Sequence, residues 1–289
     1  MKKPKSQRRS ARQALHDSIH ENKAVFAVYV TIRVLVIAIL VLSVLEGKYE
    51  NTYTCVLTLV LLMLPSIVEK KLGIKLPTGL EITVLLFIFA AEILGELEAF
   101  FVRVPFWDTM LHTISGFIYA AVGFAMVDIL NENKRVSFSM SPLFMAFVAF
   151  CFSMTIGVLW EFFEFGMDKV FHLDMQKDTI IHTITSVTLD PTWQNIPVTI
   201  SGITDVAVNG QSLGLGGYLD IGLIDTMKDL FVNFIGAVVF SCIGYLDVKH
   251  RHSGKVTSMF IPQILDKPAE KDGNGEEKET ESSEKNQEQ

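Results

Sequence analysis

Charge is scarce in this chain. Only 20% of its 289 residues are Asp, Glu, Lys or Arg, while 49% are hydrophobic; soluble domains carry nearer a quarter charged. The mean hydropathy of +0.36 points the same way. Cysteine is scarcer still. Cys55, Cys151 and Cys242 each sit inside an apolar run and form no C-x-x-C pair or metal-ligand spacing, so they pack as small hydrophobes. These shortages exclude a soluble enzyme, a nucleic-acid binder and a secreted disulfide scaffold. The charge that exists gathers at the ends. From Asp266 onward nine acids stand against four lysines, a net of −5 out of the chain's −7. The first 24 residues lean the other way, with Lys2, Lys3, Lys5, Arg8, Arg9, Arg12 and Lys23 against Asp17 and Glu21.

Between the ends lie six apolar runs, 25–45, 52–68, 79–101, 106–130, 143–165 and 225–246. A helix needs about 20 apolar residues to cross the hydrocarbon core, so the sequence predicts an all-α, polytopic bundle of six transmembrane helices. The first run follows a basic stretch as a signal peptide would. Its apolar part is too long, however, and it ends in Glu46-Gly47 rather than a small-x-small cleavage site, which makes it an uncleaved anchor. Basic residues set the orientation. The N-terminus, Lys70, Lys71 and Lys75, Lys134 and Arg135, and Lys249, Arg251 and Lys255 fall on one side; the other loops carry Lys48, Arg103, Lys169 and Lys177. Both termini are therefore expected in the cytoplasm. The expected division is a basic cytoplasmic segment 1–24, a membrane domain 25–248, and a cytoplasmic, acidic, disordered tail 249–289.

The loop 166–224 faces outward in this scheme. Its β-prone stretches 179–189, 198–207 and 218–221 are punctuated by Asp190-Pro191 and Asn209-Gly210, and Asn-Gly between such stretches is a hairpin signal. A small β-hairpin lid between helices five and six, packed over the outer helix ends, is expected.

Ionisable side chains at membrane depth cost about 2.5–3.5 kcal/mol on insertion scales, yet four of the runs carry them. Run three has Glu92 and Glu96. Run four opens with Asp108 and His112, beside Ser115. Run five closes with Glu161, Glu164 and Asp168, and run six opens with Asp225 and Asp229, followed by Asn233. Each set repeats at three or four residues, so each forms one helical stripe. Because the helices alternate in direction, all four stripes arrive at the outer face, reaching roughly 10 Å into the membrane at about 1.5 Å rise per residue.

Eight carboxyls then share one region with His112 and Lys228 as the nearby basic groups. Crowded carboxylates in low dielectric cannot all stay ionised unless a cation compensates them. Oxygen ligands with one imidazole suit a divalent metal ion, Mg²⁺, Mn²⁺ or Zn²⁺. The expected ligands are Glu161, Glu164, Asp225, Asp229, Glu96, Asp168 and Asn233, with His112 as general acid or base and Asp108 fixing its tautomer. The helix dipole also favours acids at the N-termini bearing Asp108 and Asp225, and a polar network that only holds helices together is the alternative reading. Arg33 is a lone charge in run one that could snorkel or pair with Glu81. His172 and His182 lie in the outer loop.

These motifs resemble a known family. Leu94-Gly95-Glu96, the string Trp107-Asp108-Thr109-Met110-Leu111-His112, Trp160-Glu161-Phe162-Phe163-Glu164 with Asp168, and Asp225-Thr226-Met227-Lys228-Asp229 with Asn233 and Gly236 resemble the YjdF-like family of bacterial multi-pass inner-membrane proteins. More remotely they are similar to the VanZ-like group, linked to low-level teicoplanin resistance. The resemblance implies the bacterial cytoplasmic (inner) membrane and no defined activity.

Two chemistries fit the stripes. One is a metal-assisted hydrolase or transferase acting on a lipid-linked envelope substrate, with membrane lipids as the surroundings and no nucleic acid as partner. The other is a cation or proton binding or transport protein, although no internal repeat or midplane site is visible. A non-enzymatic envelope accessory protein is the third possibility. The signatures of lipid phosphatases and of CDP-alcohol phosphotransferases (Asp-Gly-x-x-Ala-Arg) are absent, as is H-E-x-x-H.

Overall fold

The computed structural model describes residues 23–72, 74–132, 140–250, 259–261 and 263–264. Most of the basic N-terminal segment and of the acidic tail lies outside these residues. Among the described residues, five helices are long and apolar enough to cross a membrane.

The N-terminal half holds α1 (Lys23–Leu45), α2 (Tyr49–Leu61), α3 (Leu64–Leu72), the short strand β1 (Ile74–Lys75) and α4 (Thr78–Phe89). Helices α2 and α3 make one span of residues 49–71, nicked at Leu62-Met63. Pro65 explains the nick: it has no N–H to return to the preceding turn. Helix α4 runs without interruption into a π-helical stretch, Ala90–Leu97, and stops where Ala99 turns left-handed at φ 56°. The third run is therefore a composite helix, and its α-helical part of 12 residues is too short to count alone. Val36, Cys55, Leu62, Leu85 and Ile93 form the core of this half. Arg33 lies against that core with its guanidinium 4.1 Å from the Tyr29 ring centroid. Among the described residues it forms no ion pair with Glu81, and its Nε and Nη2 are buried without a hydrogen-bond partner.

The C-terminal half is three long helices packed on one another. After a single turn, α5 (Phe100–Arg103), come α6 (Trp107–Glu132), α7 (Pro142–Phe171) and α8 (Leu223–Lys249). Ser141 caps α7, its Oγ accepting from the Phe144 amide at 3.3 Å, with Pro142 preset for the first turn. Phe124, Met145, Ala149, Ala237 and Phe240 fill the middle. Lipid tails offer no hydrophobic drive for helix pairing, so close backbone approach through small residues has to supply it. A Cβ on Gly116 would overlap the Asn233 carbonyl oxygen, and one on Gly236 would overlap that of Thr113. Helices α6 and α8 thus touch backbone to backbone. Ser153 of α7 joins them, donating to the Gly116 carbonyl at 2.8 Å.

Between α7 and α8 runs a set of short antiparallel pairs. Strand β2 (Ile180–Ile181) pairs with β7 (Tyr218–Leu219), β3 (Thr183–Ser186) with β4 (Val198–Ser201), and β5 (Ala207–Val208) with β6 (Gln211–Ser212). Asn209 and Gly210 both have positive φ, 53° and 82°, the two-residue turn that the Asn-Gly signal predicts. The expected packed lid is not what forms. Most of β3 to β6 is exposed, so these two hairpins cover little of the helix ends. The tip of the β3–β4 hairpin is held by Asp190, which is buried and accepts from the Thr192 hydroxyl (2.6 Å) and amide (2.9 Å) and from the Gln194 (2.9 Å) and Ile196 (3.2 Å) amides.

A few described residues of the segment 249–289, expected to be unstructured, pack against the rest. Strand β8 (Gln263–Ile264) pairs with β1, and Phe260 meets Phe117 edge-on at 5.1 Å. Apolar residues 259–261 precede the acidic run and find a place against the helices.

Gly236→Ala should lower thermal stability in detergent by about 1–3 kcal/mol, the usual cost of overpacking. Gly166→Ala, where a Cβ meets nothing within 4 Å, should leave the melting temperature unchanged or raise it by about 0.5–1 kcal/mol equivalent. The hairpin tip should have its own pH dependence. Hydroxyl and amide donors, Thr192 first, hold the Asp190 carboxyl down at about 2, below its ordinary 3.8. A depressed carboxylate stabilises above its unfolded value and loses that contribution as pH falls through its folded one. Amide exchange at Thr192, Gln194 and Ile196 should therefore stay slow down to pH 3.8 and accelerate as pH falls through 2.

Candidate functional site

Asp108 sits in the first turn of α6, and His112 stands one turn on along the same face. The His112 Nε2 is 3.5 Å from Asp108 Oδ1, and its Nδ1 is 3.8 Å from Glu161 Oε1 on α7. His112 therefore presents one ring nitrogen to a carboxylate on its own helix and the other to a carboxylate on the neighbour. Glu164, one turn further along α7, accepts from the Trp160 indole at 2.8 Å. From α8 comes Asp229, 1% exposed, with Asn233 one turn deeper.

Two groups share the imidazole. In Asp108, His112 and Asp229, and again in His112, Glu161 and Glu164, ligand atoms lie within 4.8 Å of one another. The backbone contact at Gly116 and Gly236 lies immediately below, so the fold itself sets the spacing of the two helix N-termini that bear these acids.

Electrostatically the cluster is short of donors. Asp108 Oδ2, Glu161 Oε2 and Asp229 Oδ1 are buried with no hydrogen-bond partner among the described residues. Buried carboxylate oxygens without a donor are costly and need a proton or a cation. The basic side chain that comes near is Lys228, whose Nζ lies 3.9 Å from Asp225 Oδ1 and is half exposed. Asn233 offers no relief either: its Nδ2 faces the Met154 sulfur at 3.6 Å, and its own Oδ1 has no partner among the described residues.

The remaining residues expected at the site have other occupations. Both oxygens of Asp168 are engaged, accepting from the amides of Met175 at 2.6 Å and Gln176 at 2.9 Å. Asp225 is buried, but its Oδ2 accepts from the Lys177 amide at 2.8 Å. Glu92 is half-buried and Glu96 exposed on the π-helical stretch, and neither belongs to the two ligand groups. A π-helix closes its bonds one residue later than an α-helix, so a reading at 3.6 residues per turn carries Glu96 to the wrong azimuth. His182 bonds the Ile203 carbonyl at 2.9 Å, and exposed His172 ends α7 in the left-handed conformation.

Those engaged carboxylates reveal a feature that the spacing of acids does not show. Residues 174–179 form a strap between the end of α7 and the start of α8. Asp168 holds it from one side and Asp225 from the other. Asp220 completes the hold, accepting from the Thr179 amide at 2.7 Å while also taking the Ile224 amide at 2.8 Å in the first turn of α8. Gln176 bonds the Thr226 hydroxyl and rests on Gly222, where a Cβ would lie 2.6 Å from the Gln176 Cβ. Asp220 was legible as a helix-start signal ahead of an apolar run. The string Gly210-Gln211-Ser212-Leu213-Gly214 spells G-x-S-x-G, but Ser212 is exposed in the β5–β6 hairpin and bonds Asp205. The strand–turn–helix setting of a nucleophile elbow is missing there.

Comparisons with known proteins place the chain. An uncharacterized protein of Thermotoga maritima is 28% identical over 107 residues, which cover 37% of this chain and 53% of that protein. The match thus spans about half of that relative. No solved structure matches. Residues 28–250, most of the membrane part, match the family described as a predicted membrane protein (DUF2238), which is the YjdF-like family that the motifs resemble; neither finding extends to the VanZ-like group. With its apolar helices and this match, the chain belongs to the DUF2238 family of membrane proteins.

Proposed function

We propose that the acid and imidazole cluster is a divalent-cation site, and that it serves a metal-assisted hydrolase or transferase acting on a lipid-linked envelope substrate at the outer face of the bacterial cytoplasmic membrane. In this reading the composite helix 78–97 is the sixth span and both termini are cytoplasmic, as the distribution of basic loops supports. The observation that carries the reading is the pair of ligand groups sharing His112, with three buried carboxylate oxygens lacking any partner among the described residues. A donor set of carboxylate oxygens and one imidazole matches the hard-to-borderline divalent ions Mg²⁺, Mn²⁺ and Zn²⁺.

Glu161 and Glu164 of one group and Asp108 and Asp229 of the other would be the carboxylate ligands, the two groups meeting at His112. The ion would supply Lewis acidity toward a phosphoryl or acyl oxygen. The protein's own groups have narrower duties. His112 can pass a proton between its two faces, because each ring nitrogen looks at a carboxylate, Asp108 on one side and Glu161 on the other. Trp160 fixes one Glu164 oxygen and leaves the other free to ligate. The 174–179 strap shields the α8 side of the cluster from bulk water through its bond to Asp225. The acids lie at one end of the helices rather than at the midplane, an arrangement that fits surface chemistry better than alternating-access transport.

Elemental mass spectrometry of the purified full chain tests the cation. The expected result is about one equivalent of a divalent metal, lost in both Glu161→Gln and Asp229→Asn. For a weakly held ion, added metal should raise the melting temperature of the wild type and not of the variants. No metal, and no metal-dependent shift, would overturn the reading in favour of protonated carboxyls that serve assembly or proton binding. Sidedness has its own check. With the native cysteines replaced, Ser212→Cys should react with an impermeant maleimide on intact cells, and Ser282→Cys only after lysis. The opposite pattern would put the cluster at the inner face.

A further inference from the structure

The hairpin 179–204 is poor in exactly the features that keep a surface segment in water. Between Asp178 and Asp205 its sole charged residue is Asp190, and from Lys177 to Lys228 there is no Lys or Arg between them. Asp190 is buried and its oxygens are consumed by four donors within the turn, so the hairpin presents no charge outward. What it presents instead is apolar. Val187, Leu189, Ile196 and Ile200 are exposed, and Trp193 is 93% exposed.

That exposure is built, not accidental. Trp193 has φ 56° and Asn195 φ 61°, a backbone region that bulky side chains rarely adopt. The Asp190 bonds to the amides on either side of Trp193, at Thr192 and Gln194, hold this turn in place. A two-stranded hairpin with both faces uncovered is marginal in water and needs a surface to pack on. The β3–β4 pair has four residue pairs, Thr183–Ser201 to Ser186–Val198, and little else against it.

The surroundings name the surface. The loop that carries the hairpin leaves and rejoins the helices at Phe171 and Leu223, the ends of two membrane spans, so the bilayer is the nearest large apolar phase. Tryptophan and uncharged apolar side chains settle at the boundary between headgroups and acyl chains, whereas a soluble protein partner would be expected to meet a rim of charged and polar groups. We infer that the 187–196 tip is a membrane-interface anchor, inserting Trp193 and Ile196 at headgroup depth of the leaflet on the acidic side of the bundle. This tethers the segment that continues into the 174–179 strap, and it does not depend on any cation at the cluster.

Tryptophan fluorescence of the full chain in nanodiscs of phosphatidylethanolamine and phosphatidylglycerol tests the anchor. The Trp193 signal is the difference between wild type and Trp193→Ala, which leaves Trp107 and Trp160 beside the acidic cluster untouched. A second variant, Trp193→Phe, keeps an apolar ring at the tip and guards against a misfolded alanine protein. The expected difference spectrum is blue-shifted, loses most of its intensity when lipids brominated near the headgroup are used, and resists iodide. Full quenching by iodide with none by brominated lipid would overturn the inference and leave the tip in water. Protection from both quenchers would overturn it equally, because the tryptophan would then sit in a protein contact with a second copy or another chain.

Discussion

The site depends on one contact: the backbone of α6 against the backbone of α8 at Gly116 and Gly236. With any side chain at either position, the carbonyls of Asn233 and Thr113 would be overlapped, the helices would part, and the acids above would separate with them. In a membrane this contact cannot be replaced by hydrophobic burial, because lipid tails solvate apolar surface as well as another helix does. Direct van der Waals packing and the Ser153 bond to Gly116 take its place. Asp108 and His112 are then one to two turns from the contact on α6, and Asp229 is one turn from Asn233 on α8. Register set in the apolar part is inherited by the polar part.

Asn233 shows how far that coupling goes. Its backbone is the surface Gly116 rests on, its amide lies under Gly157 with 2.6 Å to a hypothetical Cβ, and its Oδ1 has no donor among the described residues. A residue that is 1% exposed and meets two glycines from two helices is a wedge as much as a ligand. It accordingly stays outside the proposed donor set, which takes in Asp229, whose open oxygen lies among other ligand atoms. The same division separates the acids of the loop side. Asp168, Asp220 and Asp225 spend their oxygens on backbone amides and so work as ties, while Asp108, Glu161 and Asp229 keep an oxygen unspent.

Much of this was legible in the sequence, and the rest was hidden for identifiable reasons. Apolar run length finds the five helices long enough to cross a membrane, and alternating helix direction brings Asp108, His112, Glu161, Glu164 and Asp229 to one end, because both depend only on local periodicity. Glu96 and Asp168 look equivalent to those residues by spacing. Glu96 is misplaced because a π-helical stretch changes the period over Ala90–Leu97, and nothing in the composition announces it. Asp168 is misread because a carboxylate at the end of a helix can cap an incoming loop as readily as ligate, and the loop's path is not a local property. The hairpin turn at Asn209-Gly210 was legible from φ preference alone, but whether the hairpin covers the helices is a tertiary question, and most of its surface is left exposed.

The strap connects the acidic cluster to the hairpin. Asp225 belongs to the acidic stripe of α8 by position and to the strap by its bond to the Lys177 amide. Any ligand that draws an Asp225 oxygen inward must compete with that amide and with Lys228 at 3.9 Å, so occupancy of the proposed site and strap position would be linked in both directions. The strap is continuous with β2, which pairs to β7 just ahead of α8, and β2 leads directly into the hairpin. A hairpin fixed at its tip would limit the strap's motion to the few residues between Asp168 and Thr179, whereas a free hairpin would let the strap swing with it. What holds the hairpin therefore bears on where the strap lies beside the acidic cluster.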